Sequence, residues 1–376
     1  MGSAYPSLRK LINVNIIDPV GDRAIEKASV SLTHGRVLAI RENTDSSLIG
    51  PRGSDGDGNG NGDDEQVVDL KGLFLCPSLI GAHVHVVRGM LAWGFTTVRG
   101  CGGADAALKQ AIDEWLIIGP RLNIAGHAFA GHQCCAGQKP GISRLCDGEA
   151  ECMVAVRDEM RKGGNFTKIM AGGGVSSRLN NLAHAQFLPG EISAIAQTAA
   201  SFDTYVTAHA YSNRAMRHAA ENGARGIEHG NLLDEETAIY LASKDAFFTP
   251  TLATYHALMK SPFNKWITGD LMRRNVRVME SGLHLVASMQ PFRNNEFSIR
   301  AQIQSSLDVL YSATINPARM MEMENDVGRV AEGIFADLLV LKSNPFVSVR
   351  VLDEPVNMLA VIKEGRVTFS QCRSFL

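Results

Sequence analysis

From residue 79 the chain carries seven apolar strands in about 170 residues, most of them followed by a helix. The strands are expected at Leu79–Val86, Phe95–Arg99, Arg121–Ala125, Phe166–Ala171, Thr204–His209, Arg225–His229 and Ala246–Thr251. Helical periodicity falls between them, at Ala104–Ile118, near 148–162, and at Pro189–Phe202, Asn213–Asn222 and Asp234–Lys244. Strands alternating with helices every 20–25 residues build a parallel sheet, and this many in a row point to an α/β protein with a (β/α)8 TIM barrel. The flanks read differently. Leu11–Ile17, Ala28–Leu32 and Arg36–Ile40 at one end, and Ala336–Leu341, Met358–Lys363 and Arg366–Phe369 at the other, alternate apolar and polar residues as antiparallel strands do. The phrase His34-Gly-Arg-Val37 is echoed by Glu364-Gly-Arg-Val367, with a turn expected at each. The two ends are therefore expected to pair into a β-sandwich, residues 8–76 with 328–370, beside a barrel of residues 77–327. Residues 45–66 are rich in Gly and Asp, cannot bury apolar area, and read as a flexible surface loop.

In a parallel barrel the functional face is the carboxyl end of the strands. His83 and His85 end the first strand, where alternate residues point the same way; His209 ends the fifth and His229 the sixth, and Lys168 lies in the fourth. Neutral imidazole is a common metal ligand, so four histidines at three strand ends indicate a metal site. His127 and His132, after the third strand, and Tyr211, two residues past His209, are candidate substrate contacts. Formal net charge is −2, which gives no electrostatic case for nucleic acid or an anionic membrane. No run of 18 apolar residues suggests a transmembrane helix. Seven irregularly spaced cysteines fit reduced thiols, so the expectation is a cytoplasmic protein. A small-molecule substrate and a homo-oligomer are the partners expected.

The chain resembles the amidohydrolase superfamily, in the prolidase-like and imidazolonepropionase-like branch that includes ochratoxinase. The phrases that carry the resemblance are Cys76-Pro-Ser-Leu-Ile-Gly-Ala-His-Val-His85, Gly94-Phe-Thr-Thr-Val-Arg99, Gly119-Pro-Arg121, Lys168-Ile-Met-Ala-Gly-Gly-Gly174, Ala208-His-Ala-Tyr211, Gly226-Ile-Glu-His-Gly230, Ala313-Thr-Ile-Asn-Pro-Ala-Arg319 and Ala336-Asp-Leu-Leu-Val340. The resemblance implies two divalent metals, usually zinc. His83 and His85 would hold one, His209 and His229 the other, and a carboxylated Lys168 would bridge them. It implies hydrolysis of an amide bond in a dipeptide-like or N-acyl amino acid substrate, with an eighth-strand aspartate as acid–base. That aspartate is absent. Between the seventh strand and residue 305 the one aspartate is Asp270, in Thr268-Gly-Asp-Leu271, where it is expected to open the helix Leu271–Glu280. Nine residues separate His85 from Phe95, too few for a helical crossover. Gly81 and Gly100 also stand where the family has aspartate. The barrel is therefore expected to be incomplete at its first helix and eighth strand, through lost segments or as a degenerate member, and activity to be impaired.

Overall fold

The computed structural model describes residues 8–42, 67–85, 87, 89–132, 142–177, 180–265, 267–286, 296–302, 304–371 and 375. The Gly/Asp-rich stretch and Cys134-Cys135 lie outside them.

Both chain ends enter one eight-stranded mixed sheet. Its strands are β1 Lys10–Asp18, β2 Arg23–Thr33, β3 Arg36–Arg41, β4 Val67–Asp69 and β5 Phe74–Pro77, and the three later ones are Leu338–Leu341, Met358–Lys363 and Arg366–Ser370. The junction is β5. It runs parallel to β1 (Asn15 opposite Phe74) and antiparallel to Leu338–Leu341 (Cys76 opposite Leu339). The echoed turns explain the register. His34 and Gly35, and likewise Glu364 and Gly365, all take positive φ, as two-residue hairpin turns of the right twist require. The two turns then lie against each other: the Ala336 amide donates to the Gly35 carbonyl at 2.8 Å and the Gly365 amide to Ala336 at 3.0 Å. A Cβ on Gly35 would stand 3.1 Å from the Glu364 carbonyl oxygen, so the close approach needs glycine.

The middle of the chain forms two parallel sheets. β6 Leu79–Val84, β7 Phe95–Gly100 and β8 Arg121–Ile124 make the smaller. β9 Ala128–Ala130, β10 Ser143–Leu145, β11 Thr167–Met170, β12 Val206–Ala210, β13 Gly226–His229 and β14 Phe247–Thr249 make the larger, in the order β10-β9-β11-β12-β13-β14. β9 and β10 were not among the expected strands. They are three-residue pieces that lengthen the loop after β8 into a sheet edge, too short to show a period. Helices α1 Ala106–Asp113, α2 Gly148–Arg161, α3 Pro189–Ala200, α4 Asn213–Glu221 and α5 Glu235–Ser243 cover the sheets. α1 stops earlier than its apolar run suggests because Trp115 turns to φ 59° ahead of Gly119-Pro120. The apolar sides of α2 to α4 close a core over β11 to β13 built on Val156, Ile192, Ile195, Met216 and Ile227.

Between β6 and β7 the described residues contain one 3₁₀ turn, Leu91–Trp93, in place of a crossover helix. After β14 come α6 Leu252–Leu258, α7 Asp270–Val286, α8 Glu296–Arg300, α9 Ser306–Ala313 and α10 Ile315–Met320. No strand appears among the described residues between Thr249 and Leu338. α9 and α10 are separated at Thr314, whose φ and ψ (−134°, −72°) leave the helical region. No helix is long and apolar enough to cross a membrane, among the described residues.

Because Leu338 is fully buried in the core shared by both chain ends, Leu338→Ala should cost about 2–5 kcal/mol. Val347→Ala, at a position 83% exposed, should stay within about 0.5 kcal/mol. Urea unfolding of both variants checks this; equal stabilities would mean the end strands do not share a core.

Candidate metal centre

The carboxyl ends of β6, β12 and β13 meet. His83 and His229 have ring centroids 4.8 Å apart, His209 and His229 4.6 Å, and His83 and His85 5.2 Å. The four histidines expected from sequence are thus one contiguous group. Their ring nitrogens are sorted by their partners. His83 donates Nδ1–H to Glu228 Oε2 at 2.6 Å, His85 donates Nδ1–H to the Gly102 carbonyl at 3.0 Å, and His229 Nδ1 is bonded to Thr251 Oγ1 at 2.7 Å. The first two pairings, to acceptor-only oxygens, leave Nε2 as the lone-pair nitrogen, the arrangement in which a bonded Nδ1 sets tautomer and ring orientation for a ligand. His83 Nε2 and His85 Nε2 face each other at 3.3 Å. Two ligands of a tetrahedral zinc with bonds of 2.0–2.1 Å lie about 3.3–3.4 Å apart, so this pair fits one cation.

Lys168, in β11, is 1% exposed, and its Nζ has no hydrogen-bond partner among the described residues. Burial, helped by Arg99 and opposed by Glu228, pushes its ammonium below the ordinary lysine value. A lysine eased toward the neutral amine, with an unmatched buried nitrogen, suits covalent carboxylation beside cations. Burial likewise lowers His83 to about 4 and His209 to about 3, and holds His229 well below the usual imidazole value, so all three are neutral and able to donate a lone pair.

Beneath the histidines lies a charged group that the sequence reading missed. Glu228 Oε1 accepts from Arg99 Nη2 and from Thr207 Oγ1 (2.5 Å), while Oε2 accepts from His83. Arg99 also donates Nε–H to the Ala82 carbonyl at 2.7 Å and Nη1–H to Tyr205 at 3.3 Å. Both charged side chains are fully buried. Burial works against the Glu228 carboxylate, but Arg99, His83 and Lys168 hold it well below the usual range. Cys101 adjoins this group: its thiol, His83 and Glu228 place one ligand atom each within 4.8 Å of one another. Burial raises that thiol to about 11, so it stays protonated. The missed signal was the Glu228-His229 pair. Strand alternation would send neighbours to opposite faces, but His229 takes φ 72°, and both side chains reach His83.

Of the other candidates, Tyr211 stacks on His229 (5.2 Å, 18°) and accepts from Tyr255 at 3.0 Å, which in turn touches Thr251. His127 and His132 are bonded to acids of the α2 region, Glu159 at 3.1 Å and Asp147, and His132 is largely exposed. Asp270 is the first residue of α7, half-exposed and paired with Arg274 at 2.7 Å and Arg273 at 3.4 Å.

Parallel sheets that bring four histidines together at their carboxyl ends, beside a buried lysine, make a candidate metal site. The chain belongs to the amidohydrolase family, whose pattern matches residues 82–368. Ochratoxinase of Aspergillus niger is 27% identical over 338 residues, 79% of this chain and 70% of that protein. A prolidase crystallised with N-methylphosphonate-L-proline superposes with a TM-score of 0.85 at 29% identity, covering 96% of this chain and all of the other. A further amidohydrolase structure gives 0.85 at 30% identity, over 97% and 99% of the two chains. The family consists of hydrolases acting on C–N bonds, and its members are generally metal-dependent.

Arg99→Met should cost about 3–5 kcal/mol, because it strands Glu228 as an uncompensated buried charge. Arg99→Met with Glu228→Leu should recover part of that loss. Additive losses in urea unfolding would contradict the pairing. The metal-free chain should also be acid-sensitive. Unfolded imidazole takes a proton near 6.5, whereas His83 in the fold resists until about 4. A depressed folded value means the stabilisation is complete above pH 6.5 and is lost as pH falls toward 4. Unfolding free energies at pH 7.5, 6 and 5 should fall in that order, and a flat series would contradict buried neutral histidines.

Proposed function

We propose that this chain is a metal-dependent amidohydrolase for the amide bond of a dipeptide-like or N-acyl amino acid substrate, with impaired turnover. The convergence of His83, His85, His209 and His229 around the unpartnered Lys168 carries the first half of this reading. His83 and His85 would hold one divalent metal, His209 and His229 a second, and Lys168 as a carbamate would join them; zinc suits this nitrogen-rich set. When bound, such a pair lowers the pKa of water and polarises a carbonyl. The protein's own part is positioning: Glu228 and the Gly102 carbonyl fix His83 and His85, and Thr251 fixes His229. Tyr211, stacked beside His229, is the substrate contact this reading favours. Residues 77–327 would form the barrel, and 8–76 with 328–370 the sandwich. The reading places the protein in the cytoplasm, on its odd and irregular set of cysteines.

The second half rests on the acids. The carboxylate in contact with the histidines is Glu228, and both its oxygens are already taken by Arg99, Thr207 and His83. It cannot accept a water proton without giving up the charge that balances Arg99. Asp270 is engaged with two arginines at a helix start. General acid–base help is worth roughly 10²–10⁴-fold, so turnover should fall below that of intact relatives by about that factor.

The zinc-loaded chain should bind metal by elemental analysis yet cleave N-acyl amino acids and Xaa-Pro dipeptides slowly. Absence of bound metal, or its retention by a His83→Ala/His209→Ala double variant, would overturn the metal assignment. Full turnover that survives Asp270→Asn would overturn the impairment; full turnover abolished by Asp270→Asn would make Asp270 the base.

A further inference from the structure

His229 stands at the end of a chain of three hydroxyl groups. Its Nδ1 is bonded to Thr251 Oγ1 at 2.7 Å, Thr251 Oγ1 is bonded to the Tyr255 hydroxyl at 3.2 Å, and Tyr255 donates to the Tyr211 hydroxyl at 3.0 Å. The Tyr211 ring then stacks back on His229 at 5.2 Å, so the chain closes around one imidazole. Both tyrosines are buried. Thr251 occupies the N-cap position of α6, where a threonine oxygen usually accepts from a helix amide, yet it makes no such bond. Its oxygen serves His229 and Tyr255 instead.

We propose that Tyr255 is a positioning residue, which gives this hydroxyl chain one direction and thereby fixes the hydrogen of His229 on Nδ1 and its lone pair on Nε2. A hydroxyl carries one hydrogen, and a neutral imidazole has one for two nitrogens. Tyr255 gives its hydrogen to Tyr211, so toward Thr251 its oxygen accepts. Thr251 therefore gives its hydrogen to Tyr255, and toward His229 it accepts. The donor left for the 2.7 Å bond is Nδ1–H. In the opposite arrangement Thr251 would donate to Nδ1, and its oxygen would face that of Tyr255 at 3.2 Å with no hydrogen between them, an unmade bond in the interior. Thr251 alone could serve either tautomer, because a hydroxyl both donates and accepts; Tyr255 removes that freedom. The tautomer belongs to the metal-free chain. Its consequence for metal rests on the reading that His209 and His229 share one ion: a ring that presents Nε2 in every molecule binds without first choosing a form.

The test uses the full-length, metal-free chain with isotope-labelled histidine. Long-range proton–nitrogen correlation spectra distinguish the two tautomers, and His229→Gln identifies the His229 signals. A single Nδ1–H form is expected. Tyr255→Phe keeps the ring and frees the Thr251 hydrogen, so an Nε2–H form should appear beside the first. Thr251→Val removes the acceptor and should also give a mixture, whereas Thr251→Ser should keep the single form, with circular dichroism showing that each variant folds. Zinc affinity should fall about 10–100-fold in Thr251→Val, as when a metal-binding histidine loses its partner, and only about twofold in Tyr255→Phe, the cost of an even mixture. An Nε2–H or mixed His229 in the unaltered chain would overturn the proposal, and so would a single Nδ1–H form that persists in Tyr255→Phe. A single Nδ1–H form that Tyr255→Phe abolishes, in a chain that binds no zinc, would uphold it and overturn the metal reading instead.

Discussion

The buried contact between Glu228 and Arg99 joins the two parallel sheets. Arg99 and its neighbour His83 belong to the three-stranded sheet, and Glu228 and Thr207 to the six-stranded one. Among the described residues no strand of one sheet pairs with a strand of the other, and besides single backbone bonds such as that from the Asn165 amide to the Ile124 carbonyl at 2.7 Å, side chains do the joining. A fully desolvated ion pair is expensive unless every lone pair and proton finds a partner. Here four partners converge on it: the Ala82 carbonyl, Tyr205, Thr207 and His83. Removing one member would expose the others to the full cost of burial. The same carboxylate orients His83, so the interaction that holds the sheets together also sets the geometry of the site.

A second buried arginine attaches these sheets to the terminal sheet. Arg121, at the start of β8, donates to Asp337 at 2.6 Å and to Glu364 at 2.7 Å, and lies 4.2 Å over the Phe335 ring. Asp337 in turn accepts from Thr96 at 3.1 Å and from the Glu364 amide at 2.8 Å. The Glu364-Gly365 turn is therefore both a hairpin and a docking point. Its echo at His34-Gly35 packs directly on it, which places the N-terminal strands against the same junction. Two arginines, each matched to acids from a different element, position the site relative to both halves of the molecule.

Much of this was legible in the chain. Periodicity located β6 to β8 and β11 to β14, since buried parallel strands read as apolar runs and their helices as 3.6-residue stripes. His83, His85, His209 and His229 could be placed together because strand ends share a face. Glu228 could not, because alternation assigns it to the face away from His229, and the left-handed turn at His229 breaks that rule. Arg99 stood in a recognised phrase, but nothing local shows that its partner lies 129 residues away. β9 and β10 are too short to have a period, and the break at Thr314 depends on a side-chain bond to the Leu310 carbonyl (2.6 Å) that competes with the helix. What sequence reading misses here is long-range polar pairing, which leaves no mark in any window of the chain.

The absence of an eighth strand among the described residues would separate two properties that such a site normally shows together. The histidines come from β6, β12 and β13 and the lysine from β11, so their placement needs no element between β14 and β6. An acid–base group from an eighth strand would have come from that gap. On that reading, loss of such a segment would remove one wall and one acid and leave the four histidines in contact. The neighbouring carboxylate cannot take over, since Glu228 is committed to balancing Arg99, and its release would unmake the link between the sheets. On the proposed reading, metal binding and turnover would rest on different strands of this chain, and the described residues hold those proposed for binding.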